Sequence, residues 1–418
     1  MVKMSKQIPE IRFKDFTDEW EQRKLGEVSK RVTRKNKDLK STRPLTISAQ
    51  DGLVDQQEYF KKQIASRDVS NYYLVKNGEF AYNKSYSNGY PWGAIKRLDY
   101  YPDGVLSTLY IVFSPTGIDS NFLVSYYDTT YWHREVSKHA AEGARNHGLL
   151  NIAASDFFET ELKIPNLQEE QIKIGNFFKQ LDETITLHQD AIQRQQDLKK
   201  AMLQKLFPVN GSTIPTVRFA SFTEEWEQRK LGELMDVTSV KRIHQSDWTN
   251  HGVRFLRARD IVASSKNEVP SDYLYISEEK YKEYTNISGK VKPGDLLVTG
   301  VGSIGVPMLV VDDTPVYFKD GNIIWFKNEN KIDGNFFYYS FTNTSIQKFI
   351  RDVAGIGTVG TYTIQSGKKT PILLPNFEEQ QKIGAFFKFL DDTIALHQQA
   401  LEKLKLLKKS LLQKMFVN

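Results

Sequence analysis

The sequence predicts a mixed α/β (α+β) chain: two globular domains separated by two long antiparallel helices that form a coiled coil, with an internal duplication about a pseudo-two-fold axis. Three observations carry this. The stretch from Glu169 to Phe207 aligns without a gap to Glu378 to Phe416 at an offset of 209, with 24 of 39 positions identical. A shorter stretch, Ile8 to Val28, matches Ile214 to Leu234 at 15 of 21 positions. Between these repeats lie two regions that share almost nothing. Each half therefore runs lead-in segment, variable region, long helix, and the expected boundaries are 1–28, 29–165, 166–207, 208–234, 235–375 and 376–418.

The helices are read from period. In the second copy Ile383, Phe387, Leu390, Ile394, Leu401, Leu404, Leu411 and Met415 advance by alternate steps of four and three, with His397 and Lys408 completing the series. Such a heptad stripe needs a partner helix, and its own duplicate is the obvious one. The first copy keeps Ile174, Phe178, Leu181, Ile185, Ile192, Met202 and Leu206, interrupted by His188, Gln195 and Lys199. The expected core of the pair is Phe178, Leu181, Ile185, His188 and Ile192 with Phe387, Leu390, Ile394, His397 and Leu401. His188 and His397 are the central residues of their repeats, so an antiparallel pair would bring them face to face. Each helix opens on a capping-box-like pair, Asn166 with Glu169 and Asn376 with Glu379. Acidic residues lie early and lysines late, which suits the helix dipole. Each helix would run roughly 58 Å. Between the halves, Pro208 to Thr216 reads as a linker from its prolines, glycine and small polar residues.

The variable regions have the texture of short strands and turns, with GEFAYNKS and VLSTLYIVFS in the first and GDLLVTGVGSIGVPMLVVDD and NIIWFKN in the second. Helical patches are expected at Phe122 to His139 and Phe336 to Val353.

Composition removes several function classes. The 418 residues include no cysteine, which excludes disulfides, thiolate metal sites and cysteine nucleophiles. There is no signal-length apolar run at the start and no span of 18 apolar residues, so a cytoplasmic protein is expected. A net charge of +6 permits a nucleic-acid partner without demanding one. Gly300, Gly302 and Gly305 spell GxGxxG with Asp320 twenty residues on, but Pro307, Pro315 and a β-rich pattern follow where a helix is needed. SGKKT at Ser366 to Thr370 has Tyr362 where a phosphate-binding loop needs glycine. Pro102 and Asp103 with Glu161 and Lys163 form only a chance nuclease-like set, and the seven histidines show no metal-ligand spacing. No catalytic constellation and no metal site emerge.

What remains suits binding. Lys30 to Arg43 holds seven basic residues against Asp38 alone, Arg34 and Lys35 among them. Asn83 to Arg97 interleaves Lys84, Lys96 and Arg97 with Tyr86, Asn88, Tyr90 and Trp92, and a second loop offers Arg145, Asn146 and His147. The second variable region has Arg254, Arg257 and Arg259, then Ser303, Lys319 and Asn322. Arginine and asparagine are the side chains that pair bidentately with guanine and adenine edges. Apolar residues off the helix seam, Phe177, Leu187, Leu198, Leu203, Phe386, Leu396, Leu407 and Leu412, leave faces for a partner.

The duplicated W…KLGE segment (Trp20 to Glu27, Trp226 to Glu233), the helix starts IPNLQEEQIKIG and LPNFEEQQKIG, and the cores LDETITLH and LDDTIALH resemble those of the specificity subunits of type I restriction-modification enzymes, over essentially the whole chain. The resemblance implies a non-catalytic DNA reader. Its two target-recognition domains would each bind one half of a bipartite asymmetric site. Two modification subunits would use S-adenosylmethionine to methylate adenine, and two restriction subunits would use ATP and Mg. No cofactor is implied for this chain itself. Two other classes remain compatible with the residues: a single-chain DNA-modifying enzyme with an unrecognised site, and a coiled-coil scaffold.

Overall fold

The computed structural model describes residues 7–417 apart from 49–50, 63–64, 67, 86–88, 141–149, 151, 210, 267, 271 and 356–359. The chain divides into two compact units, Met1–Gln189 with Gln399–Asn418, and Asp190–Gln398. The long helices are Gln168–Lys205 and Phe377–Lys414, 38 residues each. Each unit thus contains the start of one long helix and the end of the other.

A short strand pair forms the base of each unit. In the first, Glu21–Lys24 pairs antiparallel with Glu161–Ile164; in the second, Glu227–Lys230 pairs with Pro371–Leu374. The amides of Leu25 and Leu231, one residue beyond, donate to the carbonyls of Thr160 and Thr370. These pairs join the two ends of each variable region, so the region is an insert on a constant base.

The variable regions are mixed, as their texture suggests. In the first unit a four-stranded antiparallel sheet runs in the order Ser29–Arg31, Ile111–Pro115, Phe80–Asn83, Ala94–Arg97. Alternate side chains on a strand point to opposite faces. Phe80, Tyr82, Ile111 and Phe113 accordingly join the core beside the long helix, while Ala81 and Val112 join a separate core with Leu45, Leu53 and Leu106. The second unit repeats the device: Leu296, Val298, Ile324 and Phe326 face one core, and Leu297, Ile323 and Trp325 the other. A sheet covered on both faces explains why LLVT and IIWFK read as unbroken apolar runs. The second unit adds a sheet absent from the described residues of the first, Trp248–Thr249, Leu274–Ile276, Val253–Leu256 and Val316–Phe318, whose last two strands are parallel.

Each expected helical patch is two helices. Ser120–Tyr127 is followed by Tyr131–His139, and Gly334–Thr342 by Thr344–Ala354, the latter capped by Asn343 Oδ1 accepting from the Ser345 amide. The first helix of each pair docks end-on against a long helix. Gln171 Oε1 accepts from the Asp119 amide while its Nε2 donates to the Pro165 carbonyl; Gln380 does the same with Asp333 and Pro375. The one glycine in each long helix makes this approach possible. A Cβ on Gly175 would meet the Phe122 amide nitrogen and, at 2.7 Å, the Asn121 carbonyl carbon; one on Gly384 would meet Asp333 Oδ1 and, at 2.8 Å, the Phe336 amide nitrogen.

The helix starts differ from the expected reciprocal capping boxes. Asn376 Oδ1 accepts from the Glu379 amide at 2.9 Å, but the Glu379 carboxylate turns instead to a bidentate pair with Arg218, both bonds at 2.7 Å. In the first copy Asn166 donates to the Glu19 carbonyl, Glu169 lies beside Lys173, and Glu170 holds Arg12 at 2.7 and 2.8 Å. Glu170 and Glu379 are buried to 1% and 0% side-chain exposure, and each of these carboxylates fastens its lead-in segment to the helix. Tertiary pairing of a desolvated carboxylate with an arginine fork outweighs a local cap.

The helix ends pack antiparallel within each unit. In the first, the Phe416 ring lies 5.9 Å from Phe178 and Lys408 contacts Asp182; in the second, Phe207 lies 6.0 Å from Phe387 and Lys199 contacts Asp391. Expected core residues Phe178, Phe387, Leu390, Ile394 and Leu401 are buried, while Leu181, Ile185, Ile192, His188 and His397 are half-buried. The two lysines that interrupt the seam are ion-paired across it. The Pro208 to Thr216 stretch is anchored rather than a loose tether: Pro208 is buried, Val217 donates to the Lys205 carbonyl and Trp226 to the Thr213 carbonyl.

Candidate nucleic-acid interface

Most of the cations singled out in the first variable region are already engaged. Arg34 Nη2 donates to both oxygens of the Glu79 carboxylate at 2.8 and 2.9 Å, and Lys35 donates to the Asn71 carbonyl while lying 4.3 Å from the Tyr73 ring. Lys96 pairs with Asp128 at 3.0 Å; Arg97 is shared among Asp99, Ser120 and Asn121. Lys84 donates to the Ile152 carbonyl, and burial lowers its pKa below the usual lysine range. Tyr90 is exposed and Trp92 half-buried against the core, its carbonyl accepting from Tyr82. Tyr86, Asn88, Arg145, Asn146 and His147 lie outside the described residues.

The exposed cations are neighbours of the chosen ones. Lys30 and Arg31 sit on Ser29–Arg31, the edge strand of the four-stranded sheet, and with Lys37 they are exposed. The run from Lys30 to Arg43 drew attention to this segment. Its sequence could not say that Glu79, 45 residues from Arg34, would take that guanidinium.

In the second unit the three arginines do come together, around two aspartates. Arg257 forks onto Asp260, which is buried, and also reaches Asp272; Arg259 reaches Asp272 at 2.6 and 2.7 Å. Hydrogen bonding to Asp260 first, then to Asp272, raises the Arg257 pKa despite its desolvation. Arg254 lies 3.6 Å from the Tyr273 ring centroid, with Asp260 at 3.9 Å. Arg254 and Arg257 are therefore fixed, while Arg259 keeps an exposed head. Lys319 follows the strand parallel to that of Arg254, its amide donating to the Leu256 carbonyl. Asn322 contributes its carbonyl to the Gly300 amide, and Ser303 is exposed on the turn that follows. Among the described residues no cluster of three or more metal-type ligands exists, and no helix is long and apolar enough to cross a membrane.

On the long helices Leu187, Leu198, Leu396 and Leu407 are exposed. Phe177, Leu203 and Phe386 are only half-exposed because they pack against the unit cores. Leu412 belongs elsewhere: at 8% exposure it lies in the core with Trp20, Phe122 and Phe416, since the helix end is enclosed on more than its seam side. Phe389 and Leu406, where the first copy has Gln180 and Asp197, are exposed as well.

The profile of the type I restriction modification DNA specificity domain matches residues 17–195 and again 223–406. The chain belongs to that family. Each match covers the latter part of one lead-in segment, one variable region and most of one long helix. The specificity subunit of the type I restriction enzyme MjaVIII of Methanocaldococcus jannaschii is 26% identical over 284 residues, which span 63% of each chain. A putative type I specificity subunit of Haemophilus influenzae is 33% identical over 109 residues, 26% of this chain and 27% of that one. The chain thus spans less than two thirds of the length of these relatives. The S subunit of a type I restriction-modification system from M. genitalium shares the fold, with a TM-score of 0.60 at 15% identity, covering 98% of this chain and 99% of that one.

Proposed function

We propose that this chain is the DNA-reading, non-catalytic component of a type I restriction-modification complex, each variable region reading one half of a bipartite site. The observation that carries the reading is the doubled specificity-domain match, one per unit, on a constant base with divergent inserts. A constant base holds each reader in the same way on its helix; a divergent insert is what two different half-sites require. Methylation of adenine with S-adenosylmethionine, and restriction with ATP and Mg, then belong to modification and restriction subunits. The exposed leucines of the long helices are the surface offered to them, and exposed apolar faces of that kind mark association sites.

The test has two arms. Purified chain is titrated with random-sequence duplex at several salt concentrations, and the methylome of cells carrying the chain with its modification subunit is compared with that of cells lacking the chain. Affinity that falls steeply with salt, together with one new bipartite methylated motif, is expected. Methylation by the chain alone, or no DNA binding at low salt, would overturn the reading.

A further inference from the structure

Three arginines crowd the start of the helix Ala258–Ser265, where a cation faces the positive end of the helix dipole. Arg254 lies on the strand before it, Arg257 is its N-cap, and Arg259 is its second residue. Acids brought in by the fold offset this placement, and they act in series. Asp260 takes Nε and Nη2 of Arg257 at 2.9 Å each. The other Arg257 nitrogen, Nη1, holds Asp272 Oδ2 at 2.9 Å, while Nη2 also donates to the Asp272 carbonyl at 2.8 Å. Asp272 in turn takes Arg259 Nη2 on both of its oxygens. The residue that follows, Tyr273, is held as well, with the Arg254 guanidinium over its ring.

The series runs from buried to exposed. Side-chain exposure rises from 1% at Asp260 through 15% at Arg257 and 52% at Asp272 to 60% at Arg259. Arg259 therefore stands in solvent with its position set from beneath, and its Nε and Nη1 have no partner among the described residues. An exposed ion pair contributes at most about 1 kcal/mol, and an arginine held in one geometry gives up rotamer freedom. Stability is a weak reason to hold it. Recognition is a stronger one, because a contact group that is positioned beforehand loses less freedom on binding.

We infer that Arg259 reads a guanine in the half-site bound by the second variable region, through N–H donors that Asp272 positions. The inference rests on the DNA-reading function proposed above. Arg259 has only donors to offer, and guanine is the base whose major-groove edge presents two acceptors and nothing else, N7 and O6. The choice of a base over a phosphate follows from Asp272. Its carboxylate, bonded to Arg259, would repel a phosphate but not a neutral base edge. Phosphates suit exposed cations with no acid partner among the described residues, such as Arg242.

The test compares the methylomes of cells that carry the modification subunit with the wild-type, Arg259→Ala, Arg259→Gln or Asp272→Asn chain. Each purified chain is also titrated with duplexes of the wild-type motif changed at one base pair. Arg259→Ala should relax one guanine of one half-site, its preference over adenine falling from at least about five-fold to near unity, with the other half-site unchanged. Arg259→Gln should lose the same guanine and gain adenine there, since glutamine matches the adenine edge. Asp272→Asn keeps the donors but loosens their placement, so the preference for that guanine should shrink while affinity for random duplex does not fall. A motif unchanged in folded Arg259→Ala would overturn the assignment, as would equal weakening at all sequences with a shallower salt dependence, the signature of a phosphate contact. If Arg259→Ala does not fold, Arg259→Gln is read by the same criteria. A wild-type chain that yields no bipartite motif overturns the proposed function and this assignment together; a wild-type motif that persists in the variants overturns this assignment alone.

Discussion

The two units are built on one base but are tied to their helix ends differently. Both have the same strand pair, the same arginine fork on a buried glutamate, the same glutamine bridge and the same glycine at the docking point. Both also place a lysine of one long helix against an aspartate of the other, Lys408 on Asp182 and Lys199 on Asp391. The surroundings of that lysine then diverge. Lys408 Nζ lies 2.7 Å from Asp128, at the end of Ser120–Tyr127, and Asp128 also receives Lys96 from the sheet, so two lysines and two aspartates knit sheet, docking helix and both long helices. In the second unit Asp391 receives Lys199 and the Tyr339 hydroxyl, and Lys199 lies 5.4 Å from the Tyr339 ring. The shared parts are what a module needs to be seated; the divergent parts are where each insert has found its own way to satisfy an inherited lysine.

That contrast predicts unequal costs for equivalent mutations. Lys408→Met leaves two carboxylates beside a single remaining lysine in a site where Lys408 is only 16% exposed. It should destabilise the first unit by about 3–5 kcal/mol, as breaking a buried pair does. Lys199→Met removes one partly exposed pair and should cost about 1 kcal/mol. Hydrogen exchange resolved by peptide reads each unit separately: strand Phe80–Asn83 should lose protection strongly in the first mutant, Ile323–Lys327 only weakly in the second. Equal losses would erase the distinction.

The glycines give the opposite expectation. In Gly175→Ala and Gly384→Ala the new methyl meets backbone atoms of a docking helix, which no rotamer change can relieve. Each should cost about 1–3 kcal/mol, and the two should agree because the contact is duplicated. Unequal values, read by the same exchange measurement, would mean that one docking helix yields more readily than its duplicate.

The four-group cluster also fixes a pH response. Asp128 is strongly desolvated, yet Lys96 and Lys408 more than compensate and hold its pKa below the usual 3.8. Its folded value lies under its unfolded one, so this stability is present above pH 3.8 and is lost as pH falls through the folded value. Burial raises the Asp182 pKa against the pull of Lys408, so its protonation on acidification partly offsets that loss. Lys408 is desolvated too, and Asp128 and Asp182 raise its pKa above 10.5; its contribution persists below 10.5 and fades as pH rises through the raised value. Asp128→Asn should flatten the acid limb of first-unit protection below pH 3.8, and an unchanged limb would assign acid sensitivity to other groups.

How much of this was legible follows the range of the interactions. The seam, the repeat and the two helix lengths were readable because a heptad period is local. Lys199 and Lys408 could be seen to interrupt it, but their partners lie 192 and 226 residues away. The strands were readable as apolar runs, yet the second sheet around Val253–Leu256 was not, because its strands of two to four residues carry too few alternations to show a period. Glu379 was assigned to a cap since sequence shows only its neighbours, and Arg218 is 161 residues distant. The cations were found as a class; which of them remain exposed depended on acids brought in by the fold.

That last point supplies the smallest and most specific expectation, within one segment of the first unit. Lys30 and Arg31 are exposed on an edge strand, whereas Arg34 and Lys35, four residues on, are held by Glu79 and by the Asn71 carbonyl and Tyr73. An exposed cation can neutralise a phosphate without giving up an internal partner; Arg34 would first have to leave a carboxylate that also accepts from the Lys76 amide. Lys30→Ala with Arg31→Ala should therefore lower the salt dependence of DNA affinity by about one unit of log–log slope per cation, evenly across sequences, with stability unchanged. Arg34→Ala should leave the slope nearly intact and instead loosen the Lys76–Glu79 turn. The opposite assignment, slope lost with Arg34 and stability lost with Lys30, would place the phosphate contacts on the engaged pair and show that Arg34 trades Glu79 for DNA on binding.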